Sequence, residues 1–107
     1  MNDYQKFIQK NLRLPYIHHM LVADLQGNIL ASSSENNEDE AVMCSFLHQS
    51  ALQMGTEFGL SSFRHIAFEH GSYKCVVTEQ KGFLLLAMLD KNVSDSKYLS
   101  YLEQMLQ

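Results

Sequence analysis

Residues 16–33 read YIHHMLVADLQGNILASS, and this stretch decides the fold. It predicts two antiparallel strands joined by a tight turn at residues 26–28, because Gly and Asn tolerate the positive φ that short hairpin turns require. Apolar side chains occupy both alternating sides of the first strand. A strand that is apolar on both faces needs cover on both faces. We therefore expect this strand to be central in a sheet, with helices above and below.

The rest of the chain supplies the helices and completes the sheet. Residues 2–13 carry an apolar helical stripe, and Pro15 ends this helix because the residue before a proline is pushed out of the helical region. Residues 83–89, FLLLAML, are apolar throughout and predict a second central strand. Ser94 begins a last amphipathic helix. The remaining predicted elements are an edge strand at 28–33, a helix from Asn37 to about Phe58 that Gly59 ends, and strands at 62–69 and 73–79.

The predicted order is therefore helix, strand, strand, helix, three strands, helix. This order indicates an α+β protein, a three-layer α/β/α sandwich built on a five-stranded antiparallel sheet. The middle helix covers one face of the sheet, and the two terminal helices cover the other. The 107 residues fit one domain, residues 1–107, because no repeat or linker divides them.

Composition and charge limit the classes of function. The chain has 46% hydrophobic and 19% charged residues, as an ordinary globular protein has. No apolar run approaches the roughly 20 residues that span a bilayer, and the N-terminus shows no signal-peptide pattern. We therefore expect a cytoplasmic protein without direct membrane insertion. The net charge of −4 argues against nucleic acid and anionic membrane as main partners. Cys44 and Cys75 are predicted to be free, buried thiols.

The middle helix carries more apolar surface than one sheet requires. A helical projection predicts one tight stripe that faces the sheet. This stripe consists of Met43, Leu47, Ala51, Met54 and Phe58. A neighbouring flank contains small residues that would let another helix approach closely. This flank consists of Ala41, Cys44, His48, Leu52 and Gly55. Val42 and Phe46 stand apart from both, in a polar arc.

Two interpretations of this surplus remain open. In the first, the flank only widens the core stripe, and Val42 and Phe46 are scattered exposed residues, which are common. In the second, the flank packs against a second subunit across a two-fold axis. Val42 and Phe46 then belong to that seam or form a patch for a third protein. The second interpretation predicts an interface at Ala41, Val42, Cys44, Phe46, His48, Leu52 and Gly55.

Three segments resemble one known family. They are the hairpin MLVADLQGNILASS at 20–33, the helix at 38–58 that starts with acidic residues, and FRHIAFEHGSYKCVVTEQKGFLLLAMLD at 63–90, with Gly71 and Gly82 at its turns. In order and spacing they resemble the roadblock family, which includes dynein light chains of the roadblock type, lysosomal Ragulator subunits and bacterial co-regulators of Ras-like GTPases. The likeness extends over about residues 4–106.

The resemblance implies several further features. Roadblock domains have the strand order 2-1-5-4-3, and they form dimers through the middle helix and the third strand. Carried over, residues 62–69 become the paired edge, which adds Phe63, His65 and Ala67 to the predicted interface. Family members bind small GTPases as scaffolds or co-regulators and are not usually enzymes. We therefore expect a homodimer, or a pair with another roadblock-type chain, that binds a Ras-like small GTPase.

The sequence contains no recognisable catalytic or metal-binding motif. Phosphate-binding glycine loops and the CxxC, HExxH and Ca²⁺-loop patterns are all missing from it. His18 and His19 point to opposite faces of a strand and cannot simply share one ion. Cys44 and His48 lie one helical turn apart, but no third group orients them. We predict no cofactor, no metal and no enzymatic activity. The alternative is a PAS- or profilin-like small-ligand sensor, although one continuous helix fills the space that a ligand pocket usually takes there.

Overall fold

The computed structural model describes residues 3–35, 38–57 and 65–105. Its helices are α1 (Asp3–Asn11), α2 (Glu38–Glu57) and α3 (Asp95–Met105). Its strands are β1 (Ile17–Asp24), β2 (Ile29–Ser32), β3 (His65–His70), β4 (Tyr73–Gln80) and β5 (Phe83–Asp90). The five strands form one sheet in the order β2-β1-β5-β4-β3, and every neighbouring pair is antiparallel. None of the helices in these three ranges is long and apolar enough to cross a membrane.

The predicted fold class and strand order are confirmed. The two strands that the apolar runs marked as central, β1 and β5, pair with each other along almost their whole length, from Ile17–Leu89 to Asp24–Phe83. Three predicted features lie outside the described residues: the start of the middle helix at Asn37, its end at Phe58–Gly59, and residues 62–64 of the third strand.

The opening hairpin is held by Asp24 at the end of β1. Its carboxylate accepts hydrogen bonds from the backbone N–H groups of Gln26 and Asn28, at 3.0 and 2.9 Å, and from the side-chain amide of Asn28. The bonds from Asn28 lower the pKa of Asp24 most, because they stabilise the charged carboxylate. Gly27 takes φ of +93°, which a side chain would disfavour.

Alternating side chains of the central strands form two separate cores. On one face, Ile8 of α1 and Tyr98 and Leu102 of α3 pack against the sheet, and all three are almost fully buried. The strand residues in this core include Met20, Val22, Val76, Leu85, Ala87 and Leu89. On the other face, Ala41 and Cys44 of α2 pack against the sheet. The strand residues there are Leu21, Ala23, Val77, Leu84 and Leu86. The helices therefore cover the faces as predicted.

The rotation of α2 about its own axis differs from the prediction. The predicted core stripe was wrong, because Met43 and Met54 are 57% and 60% exposed. The side of α2 that faces the sheet is made of small or polar residues, namely Ala41, Cys44, Ser45 and His48, all of which are buried. The reason is close approach: a Cβ added at Gly27 would lie 3.4 Å from the carbonyl oxygen of Ala41 and 3.4 Å from the Cβ of Ser45. Large side chains therefore do not fit at Ala41 and Ser45, where the helix meets the turn.

Candidate interaction surface

Three polar contacts and a layer of small residues hold α2 on the sheet. The Ser45 hydroxyl donates a 2.7 Å hydrogen bond to the carbonyl oxygen of Leu25 in the hairpin. His48 Nε2 lies 3.1 Å from Glu79 Oε2 on β4. The first turn of α2 is held by Glu40, whose Oε2 lies 2.9 Å from His19 Nε2 on β1. These contacts leave the large apolar side chains of α2 on its other sides.

We call the apolar residues on those sides the outer face of α2. It contains Val42, Met43, Phe46 and Met54, each more than half exposed, with Phe46 the most exposed at 64%. A single exposed apolar residue is normal, but a cluster of large ones on a single helix is typical of a protein-interaction site. The outer face has two parts: by helical spacing, Val42 and Phe46 lie together on one side, while Met43 and Met54 continue the stripe of Leu47 on the other.

The second part of the outer face continues into the edge of the sheet. A cavity of about 390 Å³ lies between α2 and the strands, and its lining includes Met43 and Leu47 of α2, Phe68 of β3 and Val77 of β4. The strand order places β3 at the edge, hydrogen-bonded to β4 on one side. Phe68 is 46% exposed. One continuous apolar surface therefore runs from α2 across the cavity to β3.

A charged cluster holds the edge strand β3 in place. The cluster lies on the face of the sheet that α1 and α3 cover. The Lys74 ammonium, which is almost buried, lies 2.6 Å from a carboxylate oxygen of Asp95, and His65 Nε2 lies 3.4 Å from the other oxygen. The hydrogen bond from Lys74 is the main cause that lowers the pKa of Asp95, although partial burial opposes it. The cluster ties β3 and β4 to the first turn of α3, so the edge strand is held in place.

The two thiols border the same cavity, and neither is poised as a nucleophile. Burial is the largest cause of the raised pKa of both thiols, and it brings the pKa of Cys44 to about 12. Both cysteines are free, as predicted, but only Cys44 is buried; Cys75 is half-buried, which differs from the prediction. His48 has a carboxylate partner that the sequence did not reveal, because its Nε2 lies 3.1 Å from Glu79 Oε2. The raised pKa of Cys44 nevertheless keeps the thiol protonated near neutral pH, so the two residues do not form an activated pair. Among the described residues, no group of three or more His, Cys, Asp and Glu side chains is arranged to hold a metal ion.

Ser33, His19 and Glu40 form a chain of hydrogen bonds that the sequence did not reveal. His19 Nδ1 lies 2.6 Å from the Ser33 hydroxyl, and His19 Nε2 lies 2.9 Å from Glu40. A serine, a histidine and a carboxylate in this order also occur in hydrolases. Here, however, the ring nitrogens are used in the opposite way, because Nδ1 faces the serine and Nε2 faces the carboxylate. The Ser33 oxygen also accepts a 3.0 Å hydrogen bond from the backbone N–H of Met20. The chain therefore ties the residue after β2 to β1 and to α2.

The structure does not bring the described members of the predicted interface together on one surface. Val42 and Phe46 lie on the outer face, and Leu52 is exposed further along α2. His65 and Ala67 lie on the edge strand, and Gly55 is half-buried in α2. A correction applies to Ala41, Cys44 and His48: they pack beneath α2 against the chain's own sheet and leave almost no side-chain surface for a second subunit. Phe63 lies outside the described residues.

Met43, Met54 and Phe68 are candidate interface residues that sequence reasoning missed. The apolar spacing of Met43 and Met54 was visible, but it was assigned to the chain's own core. Phe68 gave no comparable signal, because alternation in a short strand does not say whether either face is covered. The structure thus places Met43 and Met54 at the surface, and Ala41, Cys44 and His48 in the core, the reverse of what was predicted for these five residues.

No protein-family model and no curated protein matches the sequence. Solved structures match its fold. A Roadblock/LC7 domain from Streptomyces avermitilis has a TM-score of 0.83 at 18% identity, over 98% of this chain and 92% of that one. The gliding protein MglB from Thermus thermophilus has a TM-score of 0.76 at 15% identity, over 92% of this chain and 79% of that one. Acanthamoeba castellanii profilin IB has a TM-score of 0.69 at 14% identity, over 96% of this chain and 93% of that one.

The predicted likeness to roadblock domains is confirmed at the level of the fold. The profilin match shows that profilins, which are not roadblock domains, have the same fold. The overall shape therefore does not separate a roadblock-like adaptor from a profilin-like domain.

Proposed function

We propose that this protein is a non-enzymatic, cytoplasmic interaction module, a scaffold or co-regulator of a Ras-like small GTPase. We propose further that it works as a homodimer or pairs with another roadblock-type chain. The observation that supports this function is the apolar outer face of α2 beside the outer edge of β3. The side of α2 that packs on its own sheet is made of small and polar residues, so the large apolar side chains of the helix are left for a partner.

The proposed seam joins two copies through β3 and through the stripe of Met43, Leu47 and Met54. An isologous contact places the same patch on both sides of a two-fold axis. The outer edge of β3 then meets its twin, and Phe68 and the α2 stripe close the cavity from both sides. Burying the exposed part of each large side chain contributes about 1–2 kcal/mol. Hydrogen bonds between the two β3 edges contribute little net free energy of association, but they fix the register in which the two strands pair.

Val42 and Phe46 form the proposed contact for the GTPase. They lie on the side of the outer face away from β3, so a seam at Met43 and Met54 leaves them accessible. An aromatic anchor with an aliphatic neighbour is the kind of pair that dominates binding energy at protein interfaces. The choice of a GTPase rests on the role of the roadblock family, whose fold the chain has.

Sedimentation equilibrium at micromolar concentration tests the seam. We expect a dimer mass for the wild-type chain and a monomer mass for Met54→Asp, because the new carboxylate would be desolvated in the seam. Ser100→Asp is the matched control, since it adds the same charge at an exposed position of α3 on the opposite face. A monomeric wild-type chain, or a dimeric Met54→Asp variant, would contradict the proposed seam.

The proposed contact at Val42 and Phe46 is tested by binding to a Ras-like GTPase, namely the one whose gene lies nearest to the gene of this protein. The GTPase is loaded with GDP or with a non-hydrolysable GTP analogue and titrated by calorimetry. We expect Phe46→Asp to remain a folded dimer and to lose GTPase binding, while Ser100→Asp binds as the wild-type chain does. Unchanged binding by Phe46→Asp would remove Val42 and Phe46 from the proposed contact.

A small-ligand sensor is the second candidate, and the cavity of about 390 Å³ favours it. That volume lies in the range of small-molecule sites, and its lining is mostly apolar. Native mass spectrometry of the purified chain separates the two functions. A small molecule bound in stoichiometric amount would support the sensor. A dimer without added mass would support the interaction module, because the seam would fill the cavity.

A further inference from the structure

A second cleft lies on the opposite face of the sheet, between α1 and the end of α3. Its volume is about 460 Å³. Lys6, Lys10 and Arg13 line it, and Phe7 and Met105 form its apolar part. The proposed dimer seam and the Val42–Phe46 patch lie on the α2 side, so this cleft is accessible whether or not they are occupied.

The three cations form one line and are available to a partner. Their spacing of four and then three residues places them on the same side of α1 and the turn that follows it. All three are exposed, and none of the ion pairs among the described residues involves them. Asp3 is the carboxylate in the lining. Because the whole chain has a net charge of −4, this cleft has the sign opposite to that of the protein as a whole.

We propose that the α1–α3 cleft is a docking site for an acidic segment of a partner protein. The line of cations recognises Asp or Glu side chains at intervals along the segment. Phe7 and Met105 receive an apolar side chain between them. Together these groups select a segment that alternates acidic and apolar residues, and charge complementarity draws it to this cleft in preference to the acidic remainder of the surface.

The number of cations favours a peptide over the two other common polyanions. Binding to duplex DNA commonly uses about 6–10 phosphate contacts. Recruitment to an anionic membrane by charge uses clusters of about 4–8 Lys and Arg residues. Three cations are fewer than either requires, and the negative net charge repels both. A short acidic segment needs only a few contacts, and the apolar part of the cleft adds to its affinity.

Fluorescence anisotropy with a labelled synthetic peptide that repeats Glu-Glu-Leu tests the proposal. Peptides that repeat Gln-Gln-Leu and Glu-Glu-Gln test the charge and the apolar contact separately. The variant is Lys10→Glu, and its matched control is Lys81→Glu, an exposed site in the turn after β4. Both variants change the net charge equally, so a general electrostatic effect would appear in both. Circular dichroism checks that both are folded.

We expect the Glu-Glu-Leu peptide to bind the wild-type chain and Lys81→Glu alike, and to bind Lys10→Glu about fivefold or more weakly. The other two peptides should bind the wild-type chain less tightly. Equal weakening in both variants would overturn the proposal, since net charge alone would then explain it. Absence of peptide binding would overturn it as well. So would tighter binding of phosphatidylserine vesicles or of a single-stranded oligonucleotide, and these two probes identify which other polyanion the cleft takes.

Discussion

The packing of α2 against the hairpin turn can be tested by the substitution Gly27→Ala. Gly27 has φ of +93°, in the left-handed region, where a residue with a Cβ costs about 1–2 kcal/mol. The added Cβ would lie 3.4 Å from the Ala41 carbonyl oxygen, the Val42 Cα and the Ser45 Cβ. These distances are at the limit of ordinary contact, so the neighbours add little. We expect the free energy of unfolding to fall by about 1–2 kcal/mol.

Urea denaturation measures this change, and Gly71→Ala is the control. Gly71 has φ of +64° and nothing within 4 Å of an added Cβ, so only the backbone contributes, at about 1 kcal/mol. The slope of the free energy against urea should stay constant in both variants. An unchanged free energy in Gly27→Ala would mean that the turn is not left-handed. A loss above about 4 kcal/mol would mean that α2 packs closer to the turn than the contacts indicate.

Four more outcomes follow from the cores and the buried charges. Asp95→Asn should lower the free energy of unfolding by about 1–3 kcal/mol because buried Lys74 loses its carboxylate. The pKa of Asp95 is lowered in the folded chain, so the contribution of its carboxylate to the free energy of unfolding is present above the unfolded pKa. That contribution is lost as the pH falls through the folded pKa. Urea titrations of the wild-type chain in acid that show no such loss would contradict this. Cys44 should react with Ellman's reagent much more slowly in the native chain than in urea, because burial raises its pKa to about 12; equal rates would refute its burial. Leu102→Ala should cost about 2–5 kcal/mol in the same urea assay, and a cost below about 1 kcal/mol would show that α3 is not packed on the sheet.

The side on which α2 packs against its own sheet has a consequence for mutagenesis. Substitutions at Ala41, Cys44 or His48 are expected to act through stability, since these side chains pack on the chain's own sheet. Substitutions at Met43, Phe46 or Met54 are expected to spare the fold and to act on binding. A mutational scan of α2 therefore separates folding from partner recognition by position along the helix.

Local sequence determines much of this protein. Apolar runs mark β1 and β5 as central strands because both of their faces must be covered. Gly27, Gly71 and Gly82 mark the hairpin turns because their positive φ favours residues without a Cβ. The order of elements and the placement of helices on the two faces follow from the same patterns.

Only the tertiary structure decides which side of α2 faces its own sheet. The helix has two apolar stripes, and periodicity treats them as equivalent. The choice depends on groups far away in the chain: Gly27 admits only small side chains, the Leu25 carbonyl accepts the Ser45 hydroxyl, and Glu79 binds His48. The cation-lined cleft likewise needs the end of α3 to meet α1. Such contacts join positions that are distant along the chain, so no local pattern encodes them.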